Sequence, residues 1–441
     1  MNDQAPSGKT RIQAPPAPAT LADTGLSMTI MRDILLKTMF RMSLNLGSDL
    51  ARVLCLSFSQ TQQLIDAARS DHLIEAVGTL HANSASTEMG FQMTDEGRKR
   101  AQQALAISEY YGAMPVPLEA YGEQVRRQSI RNLKISRERL VAAMGDLVLP
   151  EGLLNDLGPA VTSGRSILMY GPPGNGKSSI SNGIRDALGD LIYVPRAVLH
   201  SGQILAVYDP IVHRLVETEP PKGTSLRLSG HRFDQRYVLC ERPTVITGGE
   251  LKLDMLELKY NSVSRTYQSP LQFKAMGGVF IVDDLGRQEE PPQALVNRWI
   301  VPLEMNYDIL SLISGEKFVV PFDTLVVFST NFHPNQIFDQ AALRRIFFKI
   351  KIDGPNQADF LKIFALVARK RKIPLNEDAL IHLLQSKYST IGNVYANYQP
   401  VFLIDQMIAI CEFEDKPYHM SPELIDRAWS NMFIDDEAMV N

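Results

Sequence analysis

The sequence predicts an α/β fold in which a parallel sheet is flanked by helices. Residues 171–178 read Gly-Pro-Pro-Gly-Asn-Gly-Lys-Ser and match the pattern G-x-x-x-x-G-K-[ST] in full. The apolar run at 166–170 has strand character, and in 178–188 apolar residues recur every four positions, as on one helix face. A strand, a glycine loop and a helix in this order are typical of a phosphate-binding loop.

The chemistry of this loop predicts binding of ATP with Mg²⁺. Backbone N–H groups of the loop would point at the phosphates, Lys177 would reach the β and γ oxygens, and the Ser178 hydroxyl would be a Mg²⁺ ligand. The alternative is a Gly/Pro turn between two core elements. The predicted phosphate-binding residues are Gly171, Pro172, Pro173, Gly174, Asn175, Gly176, Lys177, Ser178 and Ser179.

Length and composition limit the class of protein. A chain of 441 residues predicts two or three domains, and 45% hydrophobic with 21% charged residues is typical of a soluble globular protein. The net charge of −4 gives no general reason to expect affinity for nucleic acid or membranes. The three cysteines are far apart and lack metal-ligand spacing, which favours reduced thiols. No apolar run has the length of a membrane span, so we expect a cytoplasmic protein.

The N-terminal region resembles a winged helix-turn-helix domain. Three amphipathic segments up to Asp71 predict helices; residues 73–77 and 90–94, around the turn-rich 83–86, predict a β-hairpin; a helix from Asp95 follows. The step "MTDEGRKRAQQAL" is similar to the wing-to-helix step of such domains. The predicted segments are a disordered tail at 1–24, this domain at 25–113, a linker at 114–150, the nucleotide-binding domain at 151–352 and a helical lid at 353–441.

Charge decides between DNA and protein as the partner of residues 25–113. The segment holds eight Lys/Arg and nine Asp/Glu, which gives a net charge of −1. The candidate recognition helix at 59–64 has glutamines that could read bases, but Arg69 is its sole cation. Phosphate contacts supply most DNA affinity, and this segment has few cations for them. We therefore expect the segment to dock a protein or to control the nucleotide-binding part of the chain, with DNA binding as the minority interpretation.

The linker at 114–150 has a basic run that composition cannot assign. Six Lys/Arg residues between 126 and 139 fit a solvated connector helix or a surface that meets a neighbouring subunit or an acidic partner.

A second motif, with the carboxylates that nucleotide hydrolysis would need, follows about a hundred residues after the loop. Residues 279–282 are Val-Phe-Ile-Val, a buried-strand pattern that ends in Asp283 and Asp284. Asp283 would hold Mg²⁺ through its water shell, and Asp284 would orient or deprotonate the attacking water. The alternative is an acidic strand end that faces solvent.

Two later segments resemble the AAA+ ATPases. The buried run at 325–330 ends in Asn331, which corresponds to sensor 1 of that family, a residue near the γ-phosphate or the lytic water. "ALRRIFFKI" resembles the segment with the arginine finger, and this implies Arg345, with Arg344 as second choice. A finger stabilises transition-state charge across a subunit boundary.

The resemblance extends over about 147–433 and is closer to one bacterial group. "KAMGGVFIVDDLGRQ" and "FSTNFHPNQIFDQAALRRIFFKI" are similar to MoxR-like, chaperone-like ATPases associated with Flp pilus assembly. Residues 307–312 and 317–320 predict a hairpin at the position of the family's pre-sensor insertion. The resemblance implies a homo-oligomeric ring, expected to be a hexamer, that remodels a protein client.

Two departures from the family pattern bear on turnover. Most AAA+ proteins have Glu where this chain has Asp284, whose carboxylate reaches about one methylene less far. The lid also lacks the sensor 2 arginine, because Val401 stands at the matching position. Two rivals to a remodelling ATPase therefore stay open: a nucleotide-switched scaffold with negligible turnover, and an ATP-dependent DNA-binding regulator.

Overall fold

The computed structural model describes residues 12–83, 86–150, 152–216 and 233–432. The first part of the chain forms three helices, a hairpin and a fourth helix, in the order that the sequence predicts. Their bounds are α1 Met28–Met42, α2 Gly47–Leu54, α3 Phe58–Ser70, β1 Ile74–Asn83, β2 Ser86–Met93 and α4 Asp95–Ile107. Ser84 and Ala85 of the predicted turn lie outside the described residues. The winged-helix assignment itself stays a prediction.

The middle of the chain alternates short strands and helices. Its first elements are β3 Val116–Pro117, α5 Leu118–Arg127, α6 Arg137–Met144, α7 Leu153–Ser163, β4 Ile167–Tyr170, α8 Lys177–Leu188, β5 Leu191–Pro195, β6 Ala197–His200, β7 Gln203–Ala206, β8 Tyr237–Glu241 and β9 Thr244–Thr247. Then come β10 Lys259–Asn261, β11 Thr266–Gln268, α9 Leu271–Lys274, β12 Val279–Val282, α10 Pro292–Arg298, α11 Ile300–Met305, β13 Tyr307–Ser311, β14 Lys317–Pro321 and β15 Leu325–Thr330.

The last part of the chain is helical after one strand. Its elements are α12 Pro334–Ile337, α13 Gln340–Leu343, β16 Phe348–Lys351, α14 Gln357–Arg371, α15 Glu377–His382, α16 Gln399–Phe413 and α17 Pro422–Ser430. Short 3-10 turns occur at 22–24, 130–132, 253–256 and 388–391, and a π turn occurs at 383–387.

The sheet that holds the loop has five strands in the order β16-β4-β15-β12-β9. Strand β4 pairs in parallel with β15 on one side and β16 on the other. All six residues of β15 are buried, which explains its continuous apolar run. The α/β class predicted from the sequence is confirmed, as are the strands at 167–170, 279–282 and 325–330.

Contacts divide the chain into two compact units. Unit 1 comprises 1–133, 188–281 and 288–326, and unit 2 comprises 134–187, 282–287 and 327–441. The finer boundaries predicted from the sequence stay predictions.

Unit 1 contains two apolar clusters and a second five-stranded sheet, β10-β11-β7-β6-β3. One cluster joins the four N-terminal helices and includes Leu35, Leu64 and Phe91. The other packs α5 against the sheet strands and against the β13–β14 hairpin, whose strands match those predicted at 307–312 and 317–320.

Unit 2 contains the loop, its helix α8 and the lid. The lid core is aromatic: Phe360, Tyr388 and Tyr395 lie with ring centroids 4.6–5.0 Å apart. Edge and tilted ring contacts of this kind stabilise a core beyond simple area burial.

The predicted disordered tail needs correction over its described part. The Gln13 carbonyl accepts a hydrogen bond from Gln124 Nε2 (3.1 Å), and the Pro15 carbonyl accepts one from the backbone N–H of Asp234 (3.0 Å). Leu21 joins the N-terminal apolar cluster. Residues 12–24 are thus held by unit 1, because an extended Pro-rich backbone leaves its carbonyls available to donors; residues 1–11 lie outside the described ranges.

None of the described helices has the length and apolar character that crossing a membrane requires. All three cysteines are free thiols.

One buried ion pair lies within unit 1. Arg242 donates from Nε and Nη2 to the two oxygens of Asp190, at 2.6 and 3.0 Å, and both side chains are at most 3% exposed. The guanidinium also donates to the carbonyls of Gln128 and Gly277. The pair therefore connects four separate stretches of the chain.

We expect Arg242→Met to lower the free energy of unfolding by about 3–5 kcal/mol, because it leaves the Asp190 carboxylate buried without its cation. Chemical denaturation followed by circular dichroism measures this. Arg98→Met is the matched control, since Arg98 pairs with Asp95 on an exposed helix face, and we expect it to cost less than about 1 kcal/mol. Equal losses in the two variants would contradict the prediction.

Candidate functional site

The predicted phosphate loop, residues 171–178, has glycine at positions where no side chain fits. Gly171, directly after β4, has φ +145°, and a Cβ there would lie 2.1 Å from the Ile352 carbonyl oxygen. Gly174 has φ +75°, and a Cβ there would lie 2.3 Å from the Tyr398 ring. The glycines therefore permit both the turn and the close approach of neighbouring segments.

The loop lysine folds back over its own loop. Lys177 Nζ donates to the Gly171 and Pro172 carbonyls, each at 2.9 Å, and the residue is 6% exposed. Burial lowers the pKa of Lys177, and the negative charges of Asp284 and Asp283 oppose that shift. The amine is therefore anchored close to the two carboxylates.

The structure brings the predicted metal-binding pair together. Ser178 Oγ donates to Asp283 Oδ2 at 2.7 Å, although the two residues are 105 positions apart. A hydroxyl and a carboxylate are oxygen ligands suited to Mg²⁺ beside nucleotide phosphates. In the described ranges no group of three or more His, Cys, Asp and Glu side chains could hold a metal by itself. The pair would therefore share the ion with phosphate oxygens.

The two residues predicted to act on water are also in contact. Asn331 Nδ2 donates to Asp284 Oδ1 at 2.9 Å. Asp284 has φ +49°, a left-handed conformation that Asp and Asn tolerate better than most residues. The turn after it is held to β15, because Leu285 N donates to Ser329 O and the Thr330 hydroxyl donates to Leu285 O, both at 2.7 Å.

These groups line one cleft of about 1260 Å³ within unit 2. The loop, the two carboxylates and Asn331 supply polar groups to the lining. The segment before α7 and helices α14 and α16 of the lid supply both polar and apolar groups. Their apolar lining residues are Leu147, Val148, Ile363, Leu366, Val367, Val401 and Phe402, and their polar ones are Asp146, Arg369, Lys370, Asp405 and Gln406.

Val401 lines the cleft and is 39% exposed, so no lid cation enters from that position. The cleft nevertheless has two lid cations that sequence analysis missed, Arg369 and Lys370 near the end of α14. Within the described ranges neither has an ion-pair partner, whereas nearby Arg371 pairs with Asp405. The spacing 363, 366, 367 and 370 was the available signal, but a helix stripe of that kind predicts a core face equally well.

Sequence analysis also missed the lid turn at Asn397 and Tyr398. Both residues line the cleft and donate to loop atoms. No sequence motif identifies them, because they contact loop residues that lie more than 200 positions earlier in the chain.

The two arginine-finger candidates lie apart from these groups. Neither Arg344 nor Arg345 is among the residues that line the cleft. Arg344 is exposed at the end of α13, and Arg345 Nη1 donates to the Ala341 carbonyl at 2.8 Å. A role in the cleft of another subunit stays a prediction.

The N-terminal elements offer few cations to a nucleic acid. Seven of their eight Lys/Arg side chains form ion pairs with carboxylates: Arg32, Arg41, Arg52, Arg69, Arg98, Lys99 and Arg100. The eighth, Lys37, is buried, donates to the Ser108 carbonyl at 3.0 Å, and has its pKa lowered by burial to about 8.

One of the glutamines considered for base reading has a structural role. Gln60 is 2% exposed; its side chain completes the capping box of α3 with Ser57 and donates to the Pro18 carbonyl at 2.8 Å. A residue that caps a helix start is not free to enter a groove.

Comparisons with known proteins give a short family match and distant structural neighbours. A profile described as a domain of unknown function, DUF8689, matches residues 356–431. None of the curated proteins matches the sequence. A structure of NtrX from Brucella abortus in complex with ADP has a TM-score of 0.39 and 14% identity over 75% of this chain and 65% of that one.

RuvB of Thermotoga maritima, described as a Holliday junction branch migration motor, has a TM-score of 0.37 and 14% identity over 70% of this chain and 75% of that one. The match to NtrX covers 65% of that protein's chain, which is less than two thirds of its length. Similarity at this level assigns no function to the chain.

We expect the triple variant Gln62→Ala, Gln63→Ala, Arg69→Ala to bind duplex DNA no more weakly than the wild type, within about twofold. The reason is that Arg69 already pairs with Asp66 and Gln62 bonds to that same carboxylate. Fluorescence anisotropy over a salt titration measures both affinity and the number of phosphate contacts. A tenfold loss with a shallower salt slope would instead place DNA on α3.

Proposed function

We propose that this chain is an ATP-binding and ATP-hydrolysing subunit of the AAA+ type that remodels a protein partner. The single observation that supports the proposal most strongly is a pair of hydrogen bonds to the two aspartates that follow β12. Ser178 bonds to Asp283, and Asn331 bonds to Asp284, so the groups proposed to hold the metal and to orient water meet at two consecutive residues.

The cleft has groups suited to both parts of a nucleoside triphosphate, the phosphates and the base. The loop and the N-terminus of the twelve-residue helix α8 present N–H groups and positive partial charge to phosphates. A purine base would suit the apolar part of the lining, which includes Leu147, Val148, Ile363, Val367 and Phe402. Mg²⁺ would be held by Ser178 and Asp283 and would neutralise phosphate charge.

Hydrolysis requires a positioned water and a cation for the transition state. Asp284 and Asn331 are the residues that would orient the water. Since Arg344 and Arg345 do not line the cleft of their own chain, we propose that one of them completes the site of a neighbouring subunit, with Arg345 preferred. The chain would then act as a homo-oligomeric ring, for which six subunits is the expectation.

The client is proposed to be a protein that docks partly on residues 25–113. The ion pairing of the cations there favours protein over DNA. The bacterial group that the sequence resembles suggests assembly of a surface structure such as a pilus. The rival is a scaffold that holds ATP without turnover, and the absence of a cation at Val401 favours that rival.

We expect steady-state release of phosphate from ATP by the wild type and a loss of at least a hundredfold in Lys177→Ala and in Arg345→Ala, for different reasons. Lys177→Ala removes a phosphate contact, so nucleotide affinity falls as well. Arg345→Ala removes transition-state charge from a neighbouring site, so affinity stays within about twofold while turnover falls.

The controls separate motor from scaffold. Lys362→Ala, which removes an exposed lid lysine paired with Asp359, should leave turnover unchanged. If the wild type binds ATP with an affinity that depends on Lys177 and yet releases no phosphate, the proposed ATPase is wrong and the scaffold without turnover is favoured.

We expect the double variant Arg369→Ala, Lys370→Ala to bind ATP about tenfold more weakly. The reason is that the cleft then loses two lining cations that form no ion pair among the described residues. The loss for ADP should be smaller, since ADP has less charge. Isothermal titration with each nucleotide measures this, and Lys362→Ala again serves as the control. Unchanged affinity for both nucleotides would exclude a phosphate role for the two cations.

A further inference from the structure

The lid contacts the phosphate loop directly through one turn, residues 396–399. Tyr398 N–H donates to the Gly174 carbonyl at 2.9 Å. Asn397 Nδ2 donates to the Asn175 carbonyl at 3.0 Å, and Asn397 N–H donates to Asn175 Oδ1 at 3.3 Å. Three hydrogen bonds therefore join this turn to two consecutive loop residues, 222 positions earlier in the chain for the Asn175 pair.

The direction of these bonds matters for phosphate binding. In a planar trans peptide the carbonyl and the N–H of the next residue point in opposite directions. Fixing the Gly174 carbonyl toward the lid turn therefore aims the Asn175 N–H the other way, and fixing the Asn175 carbonyl does the same for the Gly176 N–H. In the described residues neither of these two N–H groups donates to a protein atom.

The turn is itself fixed to the lid core. The buried Gln399 side chain accepts from the Tyr388 hydroxyl at 2.8 Å and from Ala396 N–H at 2.8 Å. Tyr388 is fully buried among the lid aromatics. The turn that bonds the loop carbonyls is therefore anchored in the lid core.

A close aromatic contact reinforces the bonds. The Tyr398 ring lies so near Gly174 that a Cβ there would be 2.3 Å from the ring. Asn175 is 2% exposed, so its bonds to Asn397 are shielded from water. Shielded bonds of this kind contribute more than exposed ones.

We propose that Asn397 and Tyr398 are positioning residues: they hold the Gly174 and Asn175 carbonyls and thereby aim the Asn175 and Gly176 N–H groups at the nucleotide polyphosphate. The lid follows the state of the loop through these bonds, without a cation at Val401. This inference rests on the proposed nucleotide-binding function, which it extends from the loop to the lid.

The first arm of the test measures ATP and ADP affinity by isothermal titration with the full chain. Asn397→Ala removes the Nδ2 donor, and we expect both affinities to fall about fivefold, the size expected for one net hydrogen bond. Asn393→Gly is the matched control: it removes another asparagine amide from the same lid, keeps the left-handed conformation (φ +57°), and should bind within twofold of the wild type. If Asn397→Ala fails to fold, Asn397→Ser replaces it, since its side chain is too short to reach Asn175.

The second arm needs no nucleotide. Asn397 and Tyr398 N–H groups donate to the loop, so hydrogen–deuterium exchange of the lid peptide containing 396–399 reports the contact. Asn175→Ala changes the loop and adds no atoms against the lid: it removes the Oδ1 that accepts from Asn397 N–H. We expect the 396–399 peptide to exchange several-fold faster in this variant while the α17 peptide is unchanged. A purely structural role of the turn within the lid would leave this exchange unaffected.

The two arms distinguish the possible failures. If the wild type binds neither ATP nor ADP, the proposed function is wrong, and the exchange arm still decides whether lid and loop are joined. Folded Asn397→Ala protein with wild-type affinity for both nucleotides would overturn the positioning role. Exchange at 396–399 that does not respond to Asn175→Ala would overturn it too.

Discussion

The orientation of a few peptide groups in the phosphate loop is the constraint on which the site depends. N–H groups that face the cleft require their neighbouring carbonyls to face the protein, and each carbonyl then needs a donor. The structure supplies donors from two sides: Lys177 covers Gly171 and Pro172, and the lid turn covers Gly174 and Asn175. The loop is therefore shaped by its own glycines and by a segment far away in the chain.

Sequence analysis predicted the part of the site that local pattern encodes. The loop motif, the acidic end of β12 and Asn331 after β15 are all marked by short runs of residue types, since a buried strand must be apolar and its polar end then stands out. The lid residues could not be predicted in this way. Asn397 is an ordinary asparagine in a turn, and only the fold places its amide on Asn175. Gln60 shows the converse error: a residue type suited to reading bases is here a helix cap.

The N-terminal elements show that a net charge does not reveal how the charged side chains are arranged. A net charge near zero left DNA binding open, because clustered cations can still form a basic face. The structure distributes the acids so that each exposed cation of the eight has its own carboxylate. Four of the pairs lie within one helix, whereas Arg100 of α4 pairs with Asp33 of α1, and Arg32 of α1 pairs with Asp71 just after α3. A phosphate would have to displace these partners, and each displacement reduces the gain from counterion release.

The short carboxylate at position 284 has a backbone reason as well as a chemical consequence. Its left-handed conformation is one that Asp adopts more readily than Glu, so the turn into Leu285 and the choice of acid are linked. Asn331 holds that carboxylate at 2.9 Å, which means that the two groups proposed to orient water are engaged with each other. The contact occupies one carboxylate oxygen and one amide N–H, so a water oriented by both groups would bond to their remaining lone pairs or to the second amide N–H. In the proposed hydrolysis, this contact and the shorter reach of the Asp284 side chain would together set the position of the attacking water.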